Sequence, residues 1–145
     1  MAAGDLTLFE EFADQLTNKV HDFSSDTIKV AFINNTTVPT AGDATPTKSD
    51  YTECSAGGNY TAGGFTMTVT ESESGGVSTI DFTSNISMAS NGSNPTDVYY
   101  GLIYNDTDAS DTAIGFVEIA ASGADGTAGL ISVTWGANVF TVTVN

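Results

Sequence analysis

The sequence predicts an all-β protein, an antiparallel β-sandwich of the jelly-roll or immunoglobulin-like type with about eight strands, preceded by one N-terminal amphipathic helix. Two observations favour this class. From residue 27 onward, apolar residues recur at every second position in one segment after another, as half-buried strands require. Before residue 21 they recur at spacings of three and four, as on one face of a helix. A chain of 145 residues is expected to form a single domain, residues 1–145.

The helix is predicted over residues 6–20, LTLFEEFADQLTNKV. Its apolar face would consist of Leu6, Phe9, Phe12, Ala13, Leu16 and Val20. Thr7 and Glu10 match a capping box, in which each side chain accepts a backbone N–H of the first turn. An apolar helix face must pack on something. Its own domain and a neighbouring subunit are both open as the surface that it covers.

Eight segments have the pattern of strands, and together they predict a sandwich over residues 27–145. They are TIKVAFI, FTMTVT, VSTIDF, ISMA, VYYGLIY, AIGFVEIA, GLISVTW and VFTVTV. Gly75-Gly76 separates the second from the third and predicts a hairpin there. VYYGLIY is apolar on both faces, which is typical of a central strand that is covered on both sides. The tripeptide GAN predicts a tight turn between the last two.

Residues 34–64 do not show this alternation of apolar residues, and we expect a long loop there. The stretch contains Pro39 and Pro46, and its apolar residues, such as Tyr51 and Tyr60, are widely spaced. Long irregular segments in compact domains are usually binding loops, assembly arms or mobile segments. All three interpretations remain open for this one.

The charge of the chain excludes some partners. Eighteen acidic residues face three lysines and no arginine, so the net charge is −15. Nucleic acids and anionic membranes bind through Lys and Arg, and we therefore expect neither as a partner. The acidity favours a basic partner or a salty medium, or it serves solubility alone. No segment has the pattern of a signal peptide or a membrane span, so we expect synthesis in a cytoplasm.

Asp106, Asp108 and Asp111 form the one candidate metal site. The spacing does not fit an EF-hand, because the sixth residue from Asp106 is not Gly and the twelfth, Val117, is not Glu. Asp, Asn, Thr and Ser also form turns by bonding their own backbone, and the turn is the favoured interpretation. A weak Ca²⁺ site between strands remains open. We expect no other cofactor.

No catalytic residues are predicted, and the chain is not expected to be an enzyme. His21 is the single histidine, and Cys54 is a lone cysteine with no neighbour that would activate it. Glu71 and Glu73 could act as an acid–base pair, but such pairs beside a hairpin tip are usually solvated. Trp135, with several tyrosines, could stack on sugars, although its alternation with apolar neighbours favours a place in the core.

Five segments follow one another over nearly the whole chain, and they are LTLFEEF, DTIKVAFI, ATPTKSDYTECSAGGNYTAGG, YYGLIYNDT and ISVTWGANVFTV. In their order and spacing the sequence resembles small structural proteins of tailed bacteriophages. The resemblance implies a virion component of the capsid decoration, or cement, type. Such a protein would be a homotrimer that binds the major capsid protein on the capsid exterior and stabilises the shell. It would be made in the host cytoplasm.

We expect the helix and the long loop to provide the contacts in that assembly. The predicted interface residues are Leu6, Phe9, Phe12, Leu16, Tyr51 and Tyr60. The alternative function is a tail- or fibre-associated module that recognises host surface glycans.

Overall fold

The computed structural model describes residues 6–137 and 139–143. Within them the chain has ten strands and one short α-helix. The strands are β1 Leu6–Leu8, β2 Ile28–Ile33, β3 Phe65–Thr66, β4 Val69–Ser74, β5 Val77–Phe82, β6 Ile86–Met88, β7 Tyr100–Asn105, β8 Ala113–Glu118, β9 Ile131–Val133 and β10 Phe140–Thr143. The helix α1 is Phe12–Thr17, and a single 3-10 turn covers Lys48–Asp50. None of the helices in the described part is long and apolar enough to cross a membrane.

The strands form three antiparallel sheets, with the orders β1-β8-β7-β2-β3, β10-β5-β4 and β6-β9. One apolar core draws side chains from all three, for example Val30 from the first, Ile80 from the second and Ile131 from the third. The expectation of a mostly β protein with antiparallel sheets is therefore confirmed.

The predicted helix over residues 6–20 is wrong in extent. Residues Leu6–Leu8 form an edge strand, in which Leu6 pairs with Val117 and Leu8 with Gly115. The apolar residues of LTL fit the alternation of a strand as well as the spacing of a helix. Pairing with the edge of β8 satisfies the backbone groups of this segment. The capping box does not form either, because the six-residue helix starts after Glu11 and has no side-chain cap.

The helix ends in a Schellman motif. The N–H of Lys19 donates to the carbonyl of Leu16, and the N–H of Val20 donates to the carbonyl of Gln15. Lys19 has the left-handed backbone that this motif needs, with φ 58°. The chain then turns towards the sheets, which leaves no room for the helix to continue to residue 20.

All eight predicted strands are present. The segment FTMTVT is divided into β3 and β4, and β1 is an additional strand. The β4–β5 hairpin is confirmed, since Ser74 pairs with Val77 and Gly75 and Gly76 both have the positive φ of a type I′ turn. The last two strands are not neighbours, because β9 pairs with β6 and β10 pairs with β5. Asn138, in the predicted GAN turn, lies outside the described residues.

Strand β7 is the third of five in its sheet, as its two-sided apolar pattern predicts. On one face Ile103 belongs to the main core. On the other face Leu102 belongs to a smaller cluster that includes Phe9 and Tyr51. The N-terminal segment and the 34–64 loop thus cover the outer face of the five-stranded sheet.

Candidate functional site

The 34–64 loop is fastened around one carboxylate. The Tyr60 hydroxyl and the Gly63 N–H both donate to Glu53 Oε1, at 2.8 and 2.6 Å, and Lys48 Nζ lies 2.9 Å from Glu53 Oε2. We call these four residues the Glu53 clasp. Partial burial raises the pKa of Glu53, but the hydrogen bonds from Lys48, Gly63 and Tyr60 outweigh it, so the pKa lies below its ordinary value. The clasp closes the loop with a charged carboxylate.

The clasp holds the loop directly on β2. The Tyr60 ring stacks on Phe32, with centroids 5.4 Å apart, and the Phe32 N–H donates to the Tyr60 hydroxyl at 2.9 Å. Gly64 has φ +78°, and a Cβ there would lie 2.0 Å from the Val30 carbonyl oxygen. Only glycine allows this approach. The loop is therefore part of the packed structure.

A second fastening point is Asn94, which is buried. Its Nδ2 donates to the carbonyls of Ala89 and Gly126, and its Oδ1 accepts from the Asn59 N–H at 2.7 Å. At Gly58 a Cβ would lie 2.4 Å from Asn94 Oδ1. The glycines of GGNYTAGG thus serve close packing of three loops.

The three aspartates of the candidate Ca²⁺ site have separate partners. Asp106 pairs with Lys29 at 2.8 Å, and Asp108 Oδ2 accepts from the Thr112 hydroxyl at 2.6 Å. Asp111 has φ 51° and donates its N–H to the Asp108 carbonyl, as in a turn. Within the described residues no group of three His, Cys, Asp or Glu side chains could hold a metal ion. The segment is the turn that joins β7 to β8.

The single histidine belongs to a buried polar cluster. His21 Nε2 lies 2.9 Å from Gln15 Oε1, and Asn105 Nδ2 lies 3.3 Å from His21 Nδ1. This arrangement fits a neutral ring that donates to Gln15 through Nε2 and leaves Nδ1 unprotonated beside the Asn105 amide. Burial lowers the pKa of His21 to about 4, although the carboxylates of Asp108 and Asp26 act in the opposite direction. The ring ties the end of α1 to the end of β7.

Asn105 completes this cluster. Its side chain is fully buried, and its Nδ2 donates to Asp26 Oδ2 at 2.6 Å and to the Val20 carbonyl at 3.0 Å. Its Oδ1 accepts from the N–H groups of Thr107 and Asp108. One amide therefore fixes both the turn after β7 and the segment after α1.

The predicted interface residues lie mostly inside the chain. Four of them are only 2–6% exposed, namely Phe9, Phe12, Tyr51 and Tyr60. Leu6 and Leu16 are half-buried against the main core. The structure brings Phe9 and Tyr51 together, with ring centroids 6.1 Å apart, on the outer face of the five-stranded sheet. In this conformation the four aromatic side chains have almost no surface to offer a partner.

The remaining candidates have structural contacts. The Cys54 thiol is buried and faces the Asp97 carbonyl at 3.5 Å, and burial raises its pKa to about 12. Trp135 is half-buried, and its ring packs edge-on against Phe82 at 5.0 Å between centroids. The Trp135 indole N–H is buried and has no acceptor among the described residues. Glu71 is exposed and accepts from the Ser78 hydroxyl.

Sequence reasoning missed the residues that organise these clusters, which are Glu53, Asn94 and Asn105. Asn94 and Asn105 have partners in other segments, and the partners of Glu53 are five to ten residues away within an irregular loop, so no periodic pattern marks them. The repeated Ala-Gly-Gly around Tyr60 is the one available signal, because paired glycines mark close backbone approach.

Scans against protein-family models, curated proteins and solved structures found no significant match.

Proposed function

We propose that the chain is a structural virion protein of a tailed phage, which decorates the capsid exterior and stabilises the shell. The proposal starts from the sequence resemblance to phage decoration proteins. We propose further that the fold is a two-layer β-sandwich of the jelly-roll or immunoglobulin-like type. The five-stranded sheet would form one layer and the two smaller sheets the other. The shared core of the three sheets supports that arrangement.

The observation that carries the proposal is the Glu53 clasp. The longest loop of the chain is not left free but is fastened by a carboxylate, a lysine and a tyrosine to the sheet that it covers. His21 and Asn94 fasten other loops in the same way. Loops that are fastened in this way present a rigid surface, and rigidity lowers the entropy cost of adhesion to a shell.

The proposed partners are the major capsid protein and further copies of this chain, as a homotrimer. Many weak contacts on a repeating shell combine into strong attachment, so each copy needs only a modest affinity. The net charge of −15 favours basic patches on that shell. The protein would be made in the host cytoplasm and reside on the virion.

The test uses phage particles that lack the protein. We expect purified protein to cosediment with such particles at a fixed stoichiometry, and to raise the temperature at which they release DNA. The same add-back should protect them in low salt. Protein that stays in the supernatant, or that binds without any change in particle stability, contradicts the proposal.

The alternative is a tail- or fibre-associated module that binds host glycans. The partial exposure of Trp135 is the observation that favours it, since sugars stack on exposed aromatic rings. A glycan array decides it: binding that disappears in Trp135→Phe and Trp135→Ala variants of unchanged fold supports the module, and an array without signal removes it.

A further inference from the structure

The free edge of β10 differs from the other sheet edges in the described part of the chain. β4, at the opposite edge of the same sheet, carries Glu71 and Glu73. The edge strands of the other two sheets have only two or three residues. β10 has four, Phe-Thr-Val-Thr, of which three are β-branched and none is charged. Natural proteins protect edge strands with charges or by keeping them short, and β10 has neither protection.

A groove of about 480 Å³ lies between residues 16–23 and one face of this three-stranded sheet, and β10 lines it through Val142. Its apolar wall is formed by Leu16, Phe23, Ile80 and Val142. Val142, in the middle of β10, is 40% exposed and is one of three large apolar side chains that are exposed in the described residues. An added strand would therefore meet the unpaired backbone groups of β10, and its side chains on the face of Val142 would border the groove.

The rim of the groove is acidic. Asp22 and Glu71 contribute two carboxylates against one ammonium, that of Lys19. A lysine or arginine side chain fits such a place, because its aliphatic stem covers apolar surface while its charge reaches the rim. The β10 edge of a second copy fits this place worse, because its sequence Phe-Thr-Val-Thr brings no lysine or arginine to the two carboxylates.

We propose that β10 and this groove form a docking site for an extended basic segment of another protein, which adds to the three-stranded sheet as a fourth strand. Alternate side chains of that segment share the face of Phe140 and Val142 and border the groove. The charge of a lysine or arginine at those positions is attracted by the acidic lining of the groove, to which Asp22 belongs. This deepens the proposed function and rests on it for the source of the segment, which would be the capsid shell.

The first experiment uses synthetic peptides and the purified chain. The probe is a short peptide that alternates lysine with threonine. One control peptide replaces lysine by glutamate, and another keeps the lysines but carries a central proline that prevents strand pairing. Calorimetry should show that the probe peptide binds and that neither control peptide does. Amide hydrogen exchange should slow at residues 140–143 when the probe binds. Equal binding of either control peptide overturns the proposal.

A matched pair of variants separates the site from general attraction. Val142→Lys and Val38→Lys place the same charge on an exposed valine, and Val38 is 51% exposed. We expect Val142→Lys to weaken probe binding at least about tenfold and Val38→Lys by less than about twofold, because only the first charge lies in the docking site. Val142→Thr keeps the β-branched shape and should retain binding. Equal loss in the two lysine variants overturns the proposal.

Two further measurements complete the test. Light scattering that finds dimers of the wild type, lost in Val142→Lys, assigns the edge to a second copy and overturns the docking of a basic segment. Particles that bind the wild type and Val142→Lys equally overturn this inference while the proposed function stands. Peptide binding without particle binding removes the proposed function and leaves the docking site.

Discussion

The Tyr60 hydroxyl donates a hydrogen bond of 2.8 Å to the Glu53 carboxylate. The same hydroxyl accepts the N–H of Phe32 at 2.9 Å, so one phenol joins the loop to the backbone of β2. Tyr60 is 2% exposed, and water therefore has no ready access to replace either bond. This pair of hydrogen bonds holds the 34–64 loop against β2 as part of the packed structure.

Removal of that hydroxyl should destabilise the chain. Tyr60→Phe keeps the ring but leaves the buried Phe32 N–H without its acceptor, which costs about 1–3 kcal/mol in the free energy of unfolding. Chemical denaturation measures the loss. Tyr100→Phe is the matched control, because Tyr100 is half-buried at the start of β7, and we expect a change within about 0.5 kcal/mol. A Tyr60→Phe variant as stable as the control contradicts the role of the clasp.

Acid should destabilise the chain through His21. The pKa of the ring is about 4 in the folded chain and near 6.5 when unfolded. Between these values only the unfolded chain takes up a proton. The stability that the neutral His21 ring contributes is therefore fully present above about pH 6.5, and about 3 kcal/mol of it is lost as the pH falls to about 4. Urea unfolding across this range measures the slope.

The chain contains one histidine, so His21→Gln removes this effect entirely. The variant should have a nearly flat stability between pH 6.5 and 4.5. The lowered pKa values of Glu53 and Asp108 act in a different range, since their contribution is lost only as pH falls below about 4.3. A wild-type slope that persists in the variant assigns it to another group.

Alanine substitutions at three glycines should separate the steric cost of an added Cβ from the cost of placing it on a left-handed backbone. A Cβ at Gly64 would meet the Val30 carbonyl at a left-handed φ, whereas at Gly75 φ is +61° and no atom lies within 4 Å. At Gly92 the space is open and φ is not left-handed. We expect Gly64→Ala to cost more than about 3 kcal/mol, Gly75→Ala about 1 and Gly92→Ala less than about 0.5. Thermal unfolding should give the three variants in this order, and a Gly64→Ala variant as stable as Gly92→Ala contradicts the close packing.

The strands were predictable because period-two alternation is a local property. The helix was not, since Leu6, Thr7 and Leu8 satisfy both patterns and the free edge of β8 decides between them. The turn role of Asp108 was also readable, because its partners lie within four residues.

The clusters that fasten the loops were hidden from sequence reasoning. Asn94 contacts Asn59, 35 residues earlier, and Asn105 contacts Asp26, 79 residues earlier. Such pairs are set by sheet order, and strand patterns do not determine sheet order. The same reason explains why Tyr51 and Tyr60 were expected on an interface, although the loop turns both side chains inward.

The end of α1 allows a stabilising substitution. Lys19 adopts φ 58° to close the Schellman motif, in which the Val20 N–H reaches the Gln15 carbonyl at 2.9 Å. A side chain with a Cβ is strained in this region, and glycine is not. Lys19→Gly should therefore raise the free energy of unfolding by about 0.5–1 kcal/mol, after its greater freedom in the unfolded chain is counted. Lys19→Ala removes the same charge but keeps the Cβ, and should give no gain. Equal effects of the two substitutions would assign the change to charge and contradict the strain.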